Sequence, residues 1–147
     1  MNRCFMHTLS LLILSIAAPV NAEQAKNFGD YSIHYVAFTT DILSPEVAKS
    51  YNLTRSKNRA LLNISVLKSV MGTSSQPVRA KVVASATNLS SQLKQFEIRE
   101  LSEQGAIYYI SEIPVNHRET LKFNLSVTPD GEENTYTFSF QQQFFTE

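Results

Sequence analysis

Cysteine is nearly absent from this 147-residue sequence. The single one, Cys4, precedes an apolar run from Leu9 to Ala18, and residues 20–22 place short side chains where a signal peptidase cleaves. We therefore expect residues 1–22 to be a signal peptide that is removed before Glu23. The exported chain would then hold no cysteine, and its fold must depend on core packing rather than on disulfide bonds.

Long hydrophobic runs are also missing. The apolar run near the N-terminus has ten residues, about half of the roughly 20 that a helix needs to span a bilayer. We expect no transmembrane segment in the exported chain. A lipid anchor is not expected either, because Cys4 precedes the apolar run instead of following it. The lack of further cysteines favours a bacterial periplasm over a eukaryotic secretory route, and we predict a periplasmic location.

Glycine and proline are scarce, with 4 and 5 residues, whereas 43% of the residues are hydrophobic and 18% are charged. This composition excludes collagen-like and disordered chains. Removing 22 of the 147 residues leaves 125, a length that buries roughly two-thirds of the unfolded surface on folding. We predict one domain, residues 23–147.

Apolar and polar residues alternate in about seven segments, which is typical of β-strands with one buried face. A short helix is predicted before Asn52 because Ser44-Pro45-Glu46 combines a capping side chain, a first-turn proline and an acid. The pattern predicts an all-β fold: a single antiparallel β-sandwich of the immunoglobulin or fibronectin type with one short crossover helix. The disulfide and core tryptophan of antibody domains are missing. The seven segments are Tyr31 to Phe38, Leu62 to Val66, Val78 to Ala86, Leu93 to Leu101, Ala106 to Ile113, Leu121 to Val127 and Tyr136 to Phe140.

Charge of the two signs is unevenly distributed, although the formal net charge of the whole chain is zero. Between Val47 and Phe96 there are eight basic residues and no acid, a charge of +8. The rest of residues 23–147 holds four basic and 13 acidic residues, a charge of −9. These charges can pair across strands, or they can give the molecule one basic face that attracts an anionic partner.

Patterns that indicate catalysis are missing as well. The two histidines of the exported chain, His34 and His117, have no His, Cys or paired acid at the spacing of a metal site. No serine lies in a nucleophile-elbow pattern and no glycine-rich loop precedes a helix. We therefore expect no metal and no cofactor, and no catalytic residue can be named.

A group of cations in the loop before the second strand is the candidate site. In an extended loop, Arg55, Lys57 and Arg59 would project to one side and could converge on a phosphate or carboxylate. Ser56 and Asn58 would face the other way and hydrogen-bond the backbone. The alternative is structural: the cations are solvated, or one arginine pins the loop by bonding carbonyl groups of a neighbouring loop.

Four segments around this loop carry a resemblance to a known family. They are Phe28-Gly29-Asp30-Tyr31 with His34-Tyr35, Leu43-Ser44-Pro45-Glu46-Val47-Ala48, Leu53-Thr54-Arg55-Ser56-Lys57-Asn58-Arg59, and Asn63-Ile64-Ser65-Val66. Over essentially the whole exported chain the sequence resembles the bacterial exported domain-of-unknown-function family 4426, most specifically from Thr54 to Arg59. The resemblance implies a periplasmic, β-rich protein from a proteobacterium and implies no activity.

Two classes of function follow. The first is a non-enzymatic binding or adaptor module that uses the basic loop or a sheet edge to contact an envelope protein or an anionic envelope ligand. The second is a small periplasmic enzyme or enzyme inhibitor whose active site sequence proximity does not reveal. Nucleic acid is not an expected partner of an exported, nearly neutral chain.

Overall fold

Two antiparallel β-sheets account for most of the chain. The structure, a computed structural model, describes residues 23–147, so the predicted signal peptide of residues 1–22 lies outside the described residues. The strands are β1 Gln24–Phe28, β2 Tyr31–Thr39, β3 Arg59–Lys68, β4 Gln76–Pro77, β5 Ala80–Asn88, β6 Leu93–Gln95, β7 Arg99–Glu103, β8 Ala106–Pro114, β9 Thr120–Pro129 and β10 Tyr136–Gln143. A 3-10 turn, Thr40–Ile42, and the helix α1, Pro45–Ser50, lie between β2 and β3.

The first sheet has six strands in the order β1-β2-β3-β8-β7, with the short β4 paired to the end of β3. The second has four strands in the order β10-β9-β5-β6. The all-β, antiparallel sandwich predicted from the alternation is confirmed, with ten strands in the described residues rather than about seven.

Three features of the sequence account for the difference in strand number. Residues 24–28, which show no apolar alternation, form β1 because the turn at Gly29, which has a φ of +58°, brings them back onto β2. The two residues of β4 follow the loop segment Met71 to Ser75, which does not alternate. The single strand predicted from Leu93 to Leu101 is wrong, since this segment contains β6 and β7, which belong to different sheets.

The chain changes sheets between β6 and β7 because the connecting residues bury their apolar side chains. Phe96 and Ile98 pack against the core, and the Phe96 ring lies edge-on to Phe123 with 6.4 Å between centroids. Alternation in the sequence continues through this crossing, so the pattern alone does not show where the pairing partner changes.

The core lies between the inward faces of the two sheets. Leu62, Ile64 and Val66 are fully buried, which confirms the predicted inward face of β3. Opposite them lies the second sheet, where the ring of Phe123 is fully buried and stacks on Phe140 with centroids 4.8 Å apart. Across the interface, the Tyr35 ring of β2 lies with its centroid 4.6 Å from that of Phe140 and 5.0 Å from that of Phe138, and such contacts hold the two sheets together without a disulfide bond.

The predicted short helix is present and begins as expected. The Ser44 hydroxyl accepts a hydrogen bond from the Val47 backbone N–H at 3.2 Å, and Pro45 occupies the first turn. Because β2 and β3 are neighbours in one sheet, the helix crosses the outward face of that sheet instead of passing to the other. Within residues 23–147 no helix has the length and apolar character to span a membrane.

Candidate functional site

The outward face of the first sheet carries apolar side chains where a solvated face is normally polar. The pairing of β2 with β3 sets Val36 opposite Asn63 and Phe38 opposite Leu61, and the pairing of β3 with β8 sets Asn63 opposite Ile110. Leu61 and Ile110 face outward and yet are buried, at 5% and 4% exposure. Something on this face therefore covers them.

The cover is the connection between β2 and β3, which includes α1. Its side chains Leu43, Val47, Tyr51 and Leu53 lie over the outward residues of β2, β3, β7 and β8, and a depression of about 350 Å³ remains between the two layers. Polar contacts fix the connection to the sheet. The Thr54 N–H donates to Glu112 at 2.7 Å, and the Tyr51 hydroxyl and carbonyl bond Glu103 and Arg99, respectively.

Beyond the cover, the same face continues as an open groove of about 790 Å³. Phe38, Asn63 and Tyr108 line both the groove and the covered depression, so the two form one continuous trough. We call this trough the outer cleft. Its open part is also lined by Glu23, His34, Val36, Ile42, Ser65, Leu67, Pro77, Ala106 and Ile107.

One polar atom of the outer cleft has no partner. The side-chain oxygen Oδ1 of Asn63 is buried and accepts no hydrogen bond, and within residues 23–147 only Oδ1 of Asp41 shares this condition. Leaving a buried acceptor unpaired costs roughly 1 to 3 kcal/mol. Asn63 lies where the covered and open parts of the cleft meet, so a ligand there would supply the missing donor once the amide group turns Oδ1 toward the cleft.

His34 lies at the open end of the cleft. Nδ1 of His34 is 3.5 Å from the Glu23 carboxylate, and Nε2 is 3.2 Å from the Ser32 hydroxyl. His34 and Glu23 therefore meet in the groove, whereas the loop from Arg55 to Arg59 does not contribute to its lining.

The basic loop is held from beneath by a buried threonine. The hydroxyl of Thr40, which is fully buried, lies 2.7 Å from the Thr54 carbonyl oxygen and 3.1 Å from the Ser56 carbonyl oxygen. The Thr40 hydroxyl oxygen also accepts a hydrogen bond from the Ser56 N–H at 2.9 Å. Thr40 thereby fixes the backbone on both sides of Arg55, a role that nothing in the sequence indicates.

The three cations of the loop have different surroundings. Arg55 donates from Nη2 to the Asp41 carbonyl oxygen at 3.0 Å. Lys57 is exposed in a turn that the Arg59 N–H closes on the Ser56 carbonyl at 3.3 Å. This turn interrupts the extended backbone that the alternation argument requires.

Arg59 and the two polar residues of the loop, Ser56 and Asn58, have separate surroundings. Arg59 lines a separate shallow depression together with Asn52 and Arg99. The Ser56 hydroxyl accepts a hydrogen bond from the Asn58 N–H at 3.1 Å, and the Asn58 carbonyl accepts one from Val115 at 3.0 Å. Ser56 and Asn58 thus both hold the backbone of the turn.

Ion pairs with acids later in the chain use part of the basic segment. Three of its eight cations pair with later acids: Lys68 with Glu132 at 3.8 Å, Arg79 with Glu100 at 3.1 Å and Lys94 with Glu119 at 2.7 Å. The other five, in the described part of the chain, have no carboxylate within 4.0 Å. They are Lys49, Arg55, Lys57, Arg59 and Lys81. Unpaired positive charge is therefore concentrated between residues 49 and 59.

Metal-ligating side chains are dispersed. In residues 23–147, no group of three or more His, Cys, Asp and Glu is close enough to hold a metal ion. The second histidine, His117, accepts a hydrogen bond from the Thr146 N–H at 3.2 Å and lies against Phe145 near the C-terminus.

The fold and the cleft define an antiparallel β-sandwich with an open, mainly apolar trough on the outward face of its larger sheet. The chain belongs to the family described as Domain of unknown function (DUF4426), whose model matches residues 25–147. A DUF4426 family protein from Pseudomonas aeruginosa PAO1, PA0388, is similar in structure with a TM-score of 0.72 and 38% identity. That likeness covers 85% of this chain and 96% of the other.

FetP from uropathogenic Escherichia coli strain F11 has the same fold at 9% identity and a TM-score of 0.60, covering 86% of this chain and 95% of FetP. A copper-bound variant of FetP gives a TM-score of 0.58 at 9% identity, with 84% and 95% of the two chains covered. No curated protein sequence matches the chain.

Proposed function

We propose that the protein is a non-enzymatic binding module of the bacterial periplasm and that its ligand occupies the outer cleft. The observation that carries the proposal is the unpaired Oδ1 of Asn63 in the floor of a mainly apolar trough. Ligand pockets typically have volumes of roughly 300 to 1,000 Å³, apolar walls and a few polar groups that orient the ligand. The open groove, at about 790 Å³, fits this description.

The chemistry of the cleft favours one kind of ligand. Val36, Phe38 and Leu67 offer apolar contact, and the unpaired Asn63 oxygen can accept one hydrogen bond. A small, mainly apolar envelope component that presents a single N–H or O–H group would satisfy both. Such a ligand would extend from the open groove into the covered depression beneath α1.

Export to the periplasm is part of the proposal. It is supported by the apolar run from Leu9 to Ala18 and by the absence of cysteine after Cys4. The structural neighbour FetP was expressed in the periplasm. The copper of the FetP variant gives no reason to propose copper here, because the likeness at 9% identity extends to the fold alone.

The basic loop supports a second candidate function, contact with an anionic envelope partner. Lys57 and Arg59 are exposed and, in residues 23–147, have no carboxylate within 4.0 Å. Arg55 already donates to the Asp41 carbonyl, so Lys57 and Arg59 would carry such a contact. An enzyme would instead use His34 and Glu23 at the open end of the cleft.

Titration with neutral fluorescent dyes tests the cleft. N-phenyl-naphthylamine is apolar and carries one N–H, and its fluorescence should rise on binding. Val36→Arg puts a charge in the groove and should weaken binding by at least about tenfold, since apolar contact is lost. Val83→Arg is the matched control because Val83 is a 54%-exposed valine on the second sheet. Equal binding by both variants, or no binding by the unmodified protein, would contradict the proposal.

A second variant isolates the role of Asn63. Asn63→Leu removes the acceptor at nearly constant volume, so N-phenyl-naphthylamine should bind more weakly while pyrene, which has no donor, should not. Because the replaced oxygen is unpaired, the midpoint of urea unfolding should not fall. Equal weakening for both dyes would show that Asn63 acts only through shape.

A further inference from the structure

The free edge of β10 is the most extensive free strand edge in the described part of the chain. β10 pairs with β9 on one side only and is the last strand of its sheet. It has eight residues, compared with five in β1, five in β7 and three in β6, the other strands that end a sheet. Alternate residues of such an edge leave backbone N–H and C=O groups unpaired.

β10 also lacks the features that usually protect an edge. Proteins block edges with charged side chains, proline, bulges or short strands. β7 carries Arg99, Glu100 and Glu103, and β1 carries Lys26. β10 contains no charged residue, proline or glycine, and its pairing with β9 runs without a bulge over eight residues.

The inward side chains of β10 are aromatic and only half-buried. Tyr136 stacks on Phe28 with centroids 4.9 Å apart, and Phe140 stacks on Phe123 at 4.8 Å. Phe138 lies between them and faces the same way. A further strand along the edge would extend this aromatic layer and shield its exposed flank from water.

We propose that β10 pairs antiparallel with β10 of a second copy of this chain about a twofold axis at Ser139. This register sets Phe138 opposite Phe140 of the partner subunit and Thr137 opposite Gln141 of the partner subunit. Residues of the same parity face each other, so the aromatic side chains of both copies stay on the inward face. The result is a continuous eight-stranded sheet with closed twofold symmetry.

A second copy fits this edge for reasons of charge and shape. Since β10 is uncharged, the twofold repetition brings no like charges together, and it creates two aromatic cross-strand pairs. The outer cleft lies on the other sheet, so it remains open in both copies. Ligand binding and dimerisation are therefore separable by experiment.

Sedimentation equilibrium of the exported protein tests the dimer. Ser139→Lys sets two ammonium groups against each other on the axis and should give the mass of one chain, whereas the unmodified protein should give two. Gln95→Lys is the control, because Gln95 is an exposed residue on β6 at the opposite edge of the same sheet. Equal unfolding midpoints would show that both variants fold. An unmodified monomer, or a dimer that Ser139→Lys leaves intact, would overturn the proposal.

Oxidative crosslinking tests the register. Cys4 lies in the predicted signal peptide, so a cysteine introduced into the exported chain is its one thiol. Ser139→Cys should form a covalent dimer, because directly opposite Cβ atoms approach to roughly 4.5 Å, the upper end of the roughly 3.5 to 4.5 Å that a disulfide spans. Thr137→Cys should not, since its opposite residue is Gln141 of the partner subunit. Crosslinking of both variants at the same rate would exclude this register.

Discussion

At the scale of single residues, two buried polar groups near the outward face of the first sheet differ in their partners. The Thr40 hydroxyl has three backbone partners within 3.1 Å and fixes the basic loop. Oδ1 of Asn63 has none. Satisfied buried groups stabilise a fold, whereas an unsatisfied one is a cost that a ligand can remove. For this reason Asn63, and not the basic loop, supports the main functional proposal.

Arg55 and Lys57 should differ in their effect on stability. Arg55→Gln removes the hydrogen bond to the Asp41 carbonyl and should lower the free energy of unfolding by roughly 0.5 to 1.5 kcal/mol in urea titrations. Lys57→Gln removes an exposed charge without a carboxylate partner and should leave it nearly unchanged. If the Lys57 variant lost as much stability as the Arg55 variant, a structural role of the Arg55 bond would be rejected.

The carboxylate of Glu119 should make stability depend on acid pH. Burial raises its pKa, but the Lys94 ammonium and the Asn116 N–H lower it more, so the net shift is downward. The ionised group therefore favours the folded state at neutral pH, and this contribution is lost as the pH falls through the folded-state pKa.

Urea unfolding of the protein and of Glu119→Gln checks this effect. The difference in unfolding free energy between the two should be largest near neutral pH and should shrink below the usual pKa range of a glutamate. A difference that stays constant down to the lowest pH at which the protein folds would show that Glu119 does not stabilise the fold through its charge.

At the scale of elements, local patterns were predictable and long-range placement was not. The cap of α1 at Ser44 depends on adjacent residues, and the inward face of β3 depends on alternation alone. The outer cleft depends on the pairing of β2, β3 and β8 and on α1 folding over them. The available signal was the apolar character of Val36 and Phe38 on the face of β2 opposite Tyr35.

Within the second sheet, β9 and its edge strand β10 should differ in their tolerance of lost aromatic side chains. Phe123→Ala empties a fully buried position and should cost about 3 to 5 kcal/mol. In the Ser139→Lys background, which leaves the β10 edge uncovered, Phe138→Ala should cost less than Phe123→Ala, because Phe138 is half-buried and part of its cavity opens to water. Denaturant midpoints of the two variants provide the measurement. An equal loss in that background would show that Phe138 contributes as much to the core as Phe123 does.

At the scale of the whole molecule, charge was only partly predictable. The +8 segment was open to pairing with acids or to a basic face: Lys68, Arg79 and Lys94 pair with later acids, whereas the four cations between residues 49 and 59, in the described part of the chain, have no carboxylate within 4.0 Å. Which cations pair depends on strand order, which the sequence does not encode locally. The resemblance to the DUF4426 family is confirmed over residues 25–147.

Native mass spectrometry of the protein isolated from an envelope fraction tests most directly whether the outer cleft holds a ligand. We expect a bound small-molecule mass on the unmodified protein and on Val83→Arg, and its absence from Val36→Arg, because only the latter change blocks the outer cleft. An unmodified protein without any bound mass, or a bound mass that Val36→Arg retains, would contradict the account.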